Sequence, residues 1–102
     1  MIHVIATIQV ADGRRDEFLK IFRELMPKVH AEDGCIEYAP AIDIDTGVSV
    51  QSMKGENTVT IMEKWESVEK LKAHLSAPHM VEYRDGVQEL VQGVTLNVLQ
   101  PA

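Results

Sequence analysis

The chain predicts an α+β fold in which a strand-helix-strand unit occurs twice. Residues 2–10, 59–65 and 94–99 alternate in side-chain direction, with apolar residues concentrated on one face, and this period of two is typical of strands. Stretches between them carry apolar residues at helical spacing. Right-handed connections between elements in this order give one four-stranded antiparallel sheet with the helical segments on one face.

Length and composition indicate one globular domain covering residues 1–102, with 45% apolar and 25% charged residues. A domain of this size is marginally stable on its own, which favours self-association. The net charge of -6 and the scattered basic residues argue against a nucleic-acid partner. No stretch approaches the roughly 20 apolar residues that span a bilayer, so no membrane partner is expected. The single cysteine is consistent with a cytoplasmic location.

The first half of the chain predicts a strand, a helix and a second strand. One face of residues 2–10 is apolar and expected to be buried, whereas the other is mixed, as in a sheet covered by a partner. We expect the helix to end at Gly34 and to be kinked or loosened by Pro27. The second strand is predicted over Cys35–Ile44, where Pro40 favours a bulge or an edge position.

Residues 45–57 combine turn signals with the apolar residues Val48, Val50 and Met53. This mixture predicts that the neighbouring strands extend into a long hairpin arm. Such an arm would reach across a dimer or border the mouth of a cavity.

The second half predicts a strand, an interrupted helix and a closing strand. The strand Val59–Trp65 leads to Ser67, which we expect to cap the following helix. Pro78 interrupts that helix and begins another at its first-turn position. Apolar spacing predicts that this last helical segment continues to Gly93, followed by a strand over Val94–Leu99.

The stretch around Trp65 combines an E-x-W-x-S strand end with a following A-H-L-x-x-P-H sequence, at Glu63, Trp65, Ser67, Ala73, His74, Leu75, Pro78 and His79. With these residues the chain resembles the antibiotic biosynthesis monooxygenase family, and in particular its small quinol monooxygenase-like members. Similarity extends to a G-C-x-x-Y segment and to the opening strand-to-helix turn, at Gly34, Cys35, Ile36, Tyr38 and Val10–Phe18. The resemblance implies ferredoxin-like βαββαβ subunits that pair as a homodimer into a dimeric α+β barrel. Such pairing would cover the outer sheet face of each subunit.

Two histidines are candidates for a catalytic base. His74 lies beside the apolar stripe of its helix, where a neutral imidazole accepts a phenolic proton. His79 lies in the first turn of the next helix, where the helix dipole opposes protonation. The alternatives are structural: a half-buried His74 bonded to a backbone carbonyl, and a His79 that only caps its helix.

Arg84 interrupts the apolar face of the last helical segment. Pointing into a cavity, it would stabilise an enolate or phenolate oxygen as a catalytic residue. The alternative is that its stem covers apolar surface while the guanidinium stays in water.

Five further residues are candidates for contact with a substrate. Trp65 offers a rigid ring for stacking a planar aromatic compound, and its alternative is a core position. Glu63 shares a face with Trp65 and needs a partner if it is buried. Tyr38 is expected to present a cavity hydroxyl or to pack in the core. Met80 and Tyr83 line the face of the following helix.

Absent motifs narrow the chemistry. The chain has no G-x-G-x-x-G, P-loop, C-x-x-C or H-E-x-x-H sequence, so no cofactor is expected. His74 and His79 are five positions apart with a proline between them, which does not match two metal ligands on one helical face. We therefore expect no metal site.

The resemblance implies a cofactor-independent monooxygenase that oxidises a small phenolic or quinol-type aromatic compound with dioxygen. One alternative is haem degradation, which relatives of this fold perform with an asparagine on the first strand; here Thr7 or Gln9 occupies that region. The other is a non-enzymatic dimeric module that binds a hydrophobic ligand or acts in a stress response.

Overall fold

The computed structural model describes residues 1–102 and confirms the ferredoxin-like α+β arrangement. The elements in chain order are β1 (Ile2–Val10), α1 (Arg15–His30), β2 (Cys35–Ala41), β3 (Thr58–Trp65), α2 (Val68–Leu75), α3 (Pro78–Gly86) and β4 (Val91–Leu99). The strands form one sheet in the order β2-β3-β1-β4, and every neighbouring pair is antiparallel. None of the three helices has the length and hydrophobicity needed to cross a lipid bilayer.

The core lies between one face of the sheet and the helices. The predicted apolar face of β1 is buried, and its register with β3 sets Ile2 opposite Trp65 and Ala6 opposite Ile61. Helix α1 covers this face with an apolar stripe at helical spacing, consisting of Phe18, Leu19, Phe22, Leu25 and Val29. Each large apolar side chain buried in this way stabilises the fold by roughly 1.5–3 kcal/mol.

Helix α1 ends earlier than predicted. It contains Pro27 but stops at His30, and Gly34 instead turns the chain into β2 with a φ of +88°. Residues other than glycine rarely adopt that backbone conformation. The turn is closed by a hydrogen bond from the Cys35 N–H to the Glu32 carbonyl oxygen, at 3.2 Å. This turn, which local spacing does not reveal, positions the side chain of Glu32.

The predicted hairpin arm is wrong. Strand β2 ends at Ala41, and residues 42–57 form an irregular loop without strand pairing. The carboxylate of Asp43 accepts hydrogen bonds from the N–H groups of Lys54 and Gly55, at 2.7 and 2.8 Å. Side-chain bonds of this kind compete with a backbone ladder and close the loop locally. The prediction for Pro40 is confirmed, because β2 is an edge strand.

The interrupted helix is confirmed in its first part. The hydroxyl oxygen of Ser67 accepts a hydrogen bond from the N–H of Lys70 at 3.2 Å, which caps α2. Pro78 occupies the first turn of α3. That helix ends at Gly86 rather than Gly93, and the chain turns so that Val91 already pairs with β1. Strand pairing overrides the local helical spacing here. Hydrogen bonds to β1 satisfy the backbone groups of residues that the apolar spacing had assigned to the end of the helix.

Strand β4 lies at the other edge of the sheet and is poorly covered. Its register sets Val94 opposite Ile8 and Leu96 opposite Ala6, so these side chains share the helix-covered face. Val94 and Leu96 are nevertheless exposed, whereas their partners in β1 are buried. The helices therefore leave an apolar opening along this edge.

Candidate active site

An apolar cavity of about 460 Å³ opens between the sheet and the helices. Twelve of its sixteen lining residues are hydrophobic, and the other four are Glu63, His74, Arg84 and Gln88. An apolar cavity with a few converging polar groups is the usual form of a site for a small molecule. The cavity is therefore the candidate active site.

His74 lies in the last turn of α2 and presents its two ring nitrogens to different surroundings. Nδ1 is 2.8 Å from Oε2 of Glu32, so a neutral ring donates its proton to that carboxylate. Nε2 has no partner within the chain, yet no buried side-chain nitrogen or oxygen lacks one. His74 is one of the residues that line the cavity, so we infer that the accessible Nε2 meets the cavity and can accept a proton there. Burial lowers the pKa of His74, against the opposing effect of Glu32, and favours the neutral ring.

Glu32 is the residue that the sequence analysis missed. Its Oε2 also accepts a hydrogen bond from Nε2 of His79 at 2.8 Å, so one carboxylate oxygen joins both histidines. Glu32 is 42 positions from His74 and 47 from His79. No periodicity or motif marks a carboxylate at such a distance. Its proximity to the G-C-x-x-Y segment was the only signal that could have drawn attention to it.

His79 and Trp65 do not line the cavity. His79 borders a separate surface depression and reaches His74 only through Glu32. Trp65 has an exposed fraction of 0% and lies in the core, with its ring centroid 4.6 Å from that of His74. In this position Trp65 has no free face for a substrate and instead supports the imidazole.

Glu63 lines the cavity and is held by Trp65, whose Nε1–H donates to Oε1 at 2.9 Å. Burial raises the pKa of Glu63 to about 7, although the hydrogen bond from Trp65 acts in the opposite direction. The carboxyl therefore exchanges a proton near neutral pH. The partner that Glu63 needs in this buried position is the indole N–H of Trp65.

Tyr38, Met80 and Tyr83 line the cavity together. The ring of Phe22 stacks on Tyr38 at a centroid distance of 5.3 Å and meets the edge of Tyr83 at 6.1 Å. Burial raises the pKa of both tyrosines, so they stay neutral and can donate hydrogen bonds. Neither hydroxyl has a partner within the chain, and both therefore contact accessible space.

Arg84 lies at the rim of the cavity. Its Nη2 donates to the carbonyl oxygen of Leu75 at 2.8 Å, which satisfies an acceptor at the end of α2. The other guanidinium donors have no partner within the chain. Arg84 thus adds positive charge beside the apolar space.

The first strand contributes only apolar side chains to the cavity, Ala6 and Ile8. Thr7 alternates with them and lies on the opposite sheet face, and Gln9 accepts a hydrogen bond from the Thr58 hydroxyl at 3.0 Å. Neither residue supplies a polar group to the cavity.

The chain belongs to the antibiotic biosynthesis monooxygenase family, whose sequence profile matches residues 1–86. It is 42% identical over 103 aligned positions to "Probable quinol monooxygenase YgiN" of Escherichia coli (strain K12). That alignment covers 99% of this chain and 98% of the relative. Family and relative together identify this protein as a monooxygenase, and therefore an oxidoreductase.

Solved structures show the same fold. A conserved protein from Methanosarcina mazei Go1 superimposes with a TM-score of 0.83 at 22% identity, covering 99% of this chain and 92% of that one. Rv0793 from Mycobacterium tuberculosis gives a TM-score of 0.79 at 25% identity, covering 99% and 94%. The arrangement of the sheet and helices is thus shared across distant sequences.

Proposed function

We propose that this protein is a cofactor-independent monooxygenase that oxidises a phenolic or quinol-type ring with dioxygen. The observation that carries the proposal is His74, whose Nδ1 is bonded to Glu32 and whose Nε2 faces an apolar cavity. A cavity of about 460 Å³ has room for a small aromatic compound. The substrate class is supported by a relative described as a probable quinol monooxygenase.

The first step is removal of the phenolic proton by Nε2 of His74. A carboxylate on the far nitrogen fixes the tautomer that leaves Nε2 free and stabilises the imidazolium that forms. Glu32 is therefore a positioning residue, and His79 helps to hold it through the second hydrogen bond. Arg84 and the neutral hydroxyls of Tyr38 and Tyr83 stabilise the phenolate oxygen.

The phenolate then gives one electron to dioxygen, and the ring radical combines with superoxide to form a carbon-oxygen bond. The peroxide takes the proton from His74. His74, now neutral again, takes the hydrogen on that carbon as a proton while the O–O bond breaks, which leaves a carbonyl group and hydroxide. The carboxyl of Glu63, with a pKa of about 7, protonates the hydroxide to water, and the proton on His74 then returns to Glu63. One oxygen atom enters the ring and the other leaves as water.

Met80 and the apolar wall hold the ring and exclude water from this space. In this proposal Trp65 acts from the core. It orients Glu63 through its indole N–H and supports the ring of His74.

An oxygen electrode tests the proposal with metal-stripped protein and a panel of hydroquinones and anthrone-type phenols. We expect consumption above the autoxidation background, lost on heat denaturation, with one dioxygen per substrate. Label from ¹⁸O₂ should appear in one product oxygen. No consumption across the panel would contradict an oxygenase of this substrate class. Binding of the same compounds without consumption would favour the non-enzymatic alternative, and a Soret band on haem titration would favour haem degradation.

The sheet and its edge support self-association as a homodimer. Exposed apolar residues remain on the sheet after folding: Met62 and Leu99 on the outer face, and Val94, Leu96 and Val98 on the helix side along the edge strand β4. Packing the sheets of two copies together would cover apolar surface that one chain leaves in water. A cytoplasmic location is supported by the single free cysteine, Cys35.

A further inference from the structure

Three side chains with metal-binding chemistry converge beside the cavity. They are Glu32, His74 and His79, and one ligand atom from each lies within 4.8 Å of the others. Imidazole nitrogen and carboxylate oxygen are ligands that zinc and related ions prefer. We propose that these three residues bind a divalent transition metal ion of the zinc class.

The five-residue separation of His74 and His79 disfavours a metal site only where both lie on one helix, and this cluster is built from three elements. His74 comes from the last turn of α2 and His79 from the first turn of α3. The break at Ser76 and Ala77 separates the two helices. The five-residue separation of His74 and His79 therefore no longer places their rings on different sides of one helix. The turn after α1 supplies the third ligand, Glu32. Ligands held by three different elements are fixed by the tertiary structure.

The distances suit a site that is closed by hydrogen bonds when no ion is bound. Oε2 of Glu32 is 2.8 Å from Nδ1 of His74 and from Nε2 of His79. A tetrahedral ion with bonds of 2.0–2.2 Å separates its ligand atoms by about 3.3 Å. Binding therefore needs the carboxylate to withdraw by about half an ångström, and the two histidine nitrogens, which lie within 4.8 Å of each other, to sit about 3.3 Å apart. Glu32 lies in a turn that can supply the first movement.

The site has an approach from solvent. The side chains of Glu32 and His79 are 13% and 21% exposed, whereas that of His74 is buried. An ion can therefore enter on the side of Glu32 and His79. Three protein ligands leave a fourth position for water, as in open zinc sites. Arg84 is the nearby positive group that opposes binding, and it is occupied with the carbonyl oxygen of Leu75.

Occupancy would inhibit the reaction, and this consequence rests on the proposed function. An ion bound to Nδ1 of His74 requires the ring proton on Nε2, since a neutral imidazole has one proton. Nε2 is the atom that we propose as the base. When an ion is bound, the ring proton occupies the electron pair of Nε2, which can then no longer accept a proton from the substrate. The site is thus a means by which zinc-class ions would switch the oxidation off.

Calorimetric titration of the metal-stripped full chain with Zn²⁺, without substrate, tests the site itself. We expect one ion per chain, with affinity at least about tenfold weaker in Glu32→Gln and in His79→Gln. Asp33→Asn is the matched control, because it removes a neighbouring carboxylate that pairs with Lys70. His3→Gln is the control for histidine, since His3 lies on the other sheet face. Both controls should bind as the wild type does.

Unchanged affinity in either ligand variant, or wild-type affinity weaker than about 1 mM, would overturn the site. Circular dichroism verifies that each variant folds. If Glu32→Gln does not fold, the affinity of His79→Gln alone tests the site, because His79 is partly exposed and its replacement should be tolerated.

Oxygen consumption is measured separately with Zn²⁺ and then with a chelator. Inhibition that the chelator reverses supports the link to the base. Binding without inhibition overturns that link, and absent turnover overturns the proposed function while the titration still decides the metal site.

Discussion

One ring nitrogen of His74 is hydrogen-bonded to the carboxylate of Glu32, and the ring lines the apolar cavity. Replacing it with alanine removes the proposed base, so His74→Ala should lower kcat by about 10²- to 10⁴-fold. Glu32→Gln should lower kcat less and leave KM nearly unchanged, because Glu32 does not touch the substrate. Its pH-rate profile should shift as well, which a purely structural role would not cause.

The measurement is steady-state oxygen consumption, with circular dichroism to show that each variant folds. His30→Gln is a suitable control because His30 bonds only to the carbonyl oxygen of Tyr38, at 2.8 Å. Wild-type turnover in His74→Ala would remove this residue from the proposed mechanism.

Glu63 links the cavity to the stability of the fold. Its pKa rises from 4.5 unfolded to about 7 folded, mainly because the carboxyl is buried. Its contribution to the free energy of unfolding is therefore full below pH 4.5 and is lost as the pH rises through about 7. The loss corresponds to roughly 3 kcal/mol. Glu63→Gln should be less sensitive to pH across this range.

Urea denaturation at several pH values between 4 and 8 measures this effect, with the exposed Glu37→Gln as the control. Trp65→Phe removes the hydrogen bond that lowers the pKa of Glu63, so the pH-dependent range should move upward. We also expect Trp65→Phe to impair turnover. An identical pH dependence in wild type and Glu63→Gln would show that Glu63 does not carry the titration.

At the scale of the elements, the turn between α1 and β2 decides where Glu32 lies. Gly34 has a φ of +88°, and a Cβ atom there would lie 2.4 Å from Cγ of Lys70. Gly34→Ala therefore combines backbone strain with a clash against the first turn of α2. We expect the free energy of unfolding to fall by about 1–3 kcal/mol from the strain, and by more where the clash is not relieved. Turnover should also fall, because the substitution displaces Glu32.

Gly47→Ala is the matched control, because Gly47 also has a positive φ, +72°, but open space around the added carbon. It should show the cost of the backbone strain alone and leave turnover unchanged. Denaturation midpoints and oxygen consumption are the measurements. Equal effects of the two substitutions would mean that Lys70 moves aside freely.

At the scale of the whole molecule, the outer sheet face tests how two copies pair. Met62 is 40% exposed and points away from the helices. If sheets pack face to face, Met62→Glu places a charge in the interface. It should raise the dissociation constant of the dimer by at least about tenfold and so shift the protein toward monomers. Analytical ultracentrifugation measures the change.

Val50→Glu introduces the same charge in the loop of residues 42–57, where Val50 is 88% exposed. It should leave the dimer intact. Dissociation by Val50→Glu but not by Met62→Glu would assign the contact to the loop instead of the sheet. A monomeric wild type would contradict the homodimer.

Features that depend on neighbouring residues could be predicted from the sequence alone. Alternation in β1 and β3, the stripe of α1, the Ser67 cap and the edge position of β2 were all readable, because each reflects local geometry repeated along the chain. The motif around Trp65 also indicated the family. Most of the fold therefore followed from pattern alone.

Which side chains meet depends on how the elements pack, and no sequence pattern predicted it. Trp65 and His79 belong to the same motif as His74, yet neither lines the cavity, whereas Glu32 reaches both histidines from a distant turn. The pairing of Val91 with β1 likewise ended α3 before its apolar spacing did. Contacts between residues far apart in the chain depend on how whole elements pack, and local periodicity carries no information about that packing.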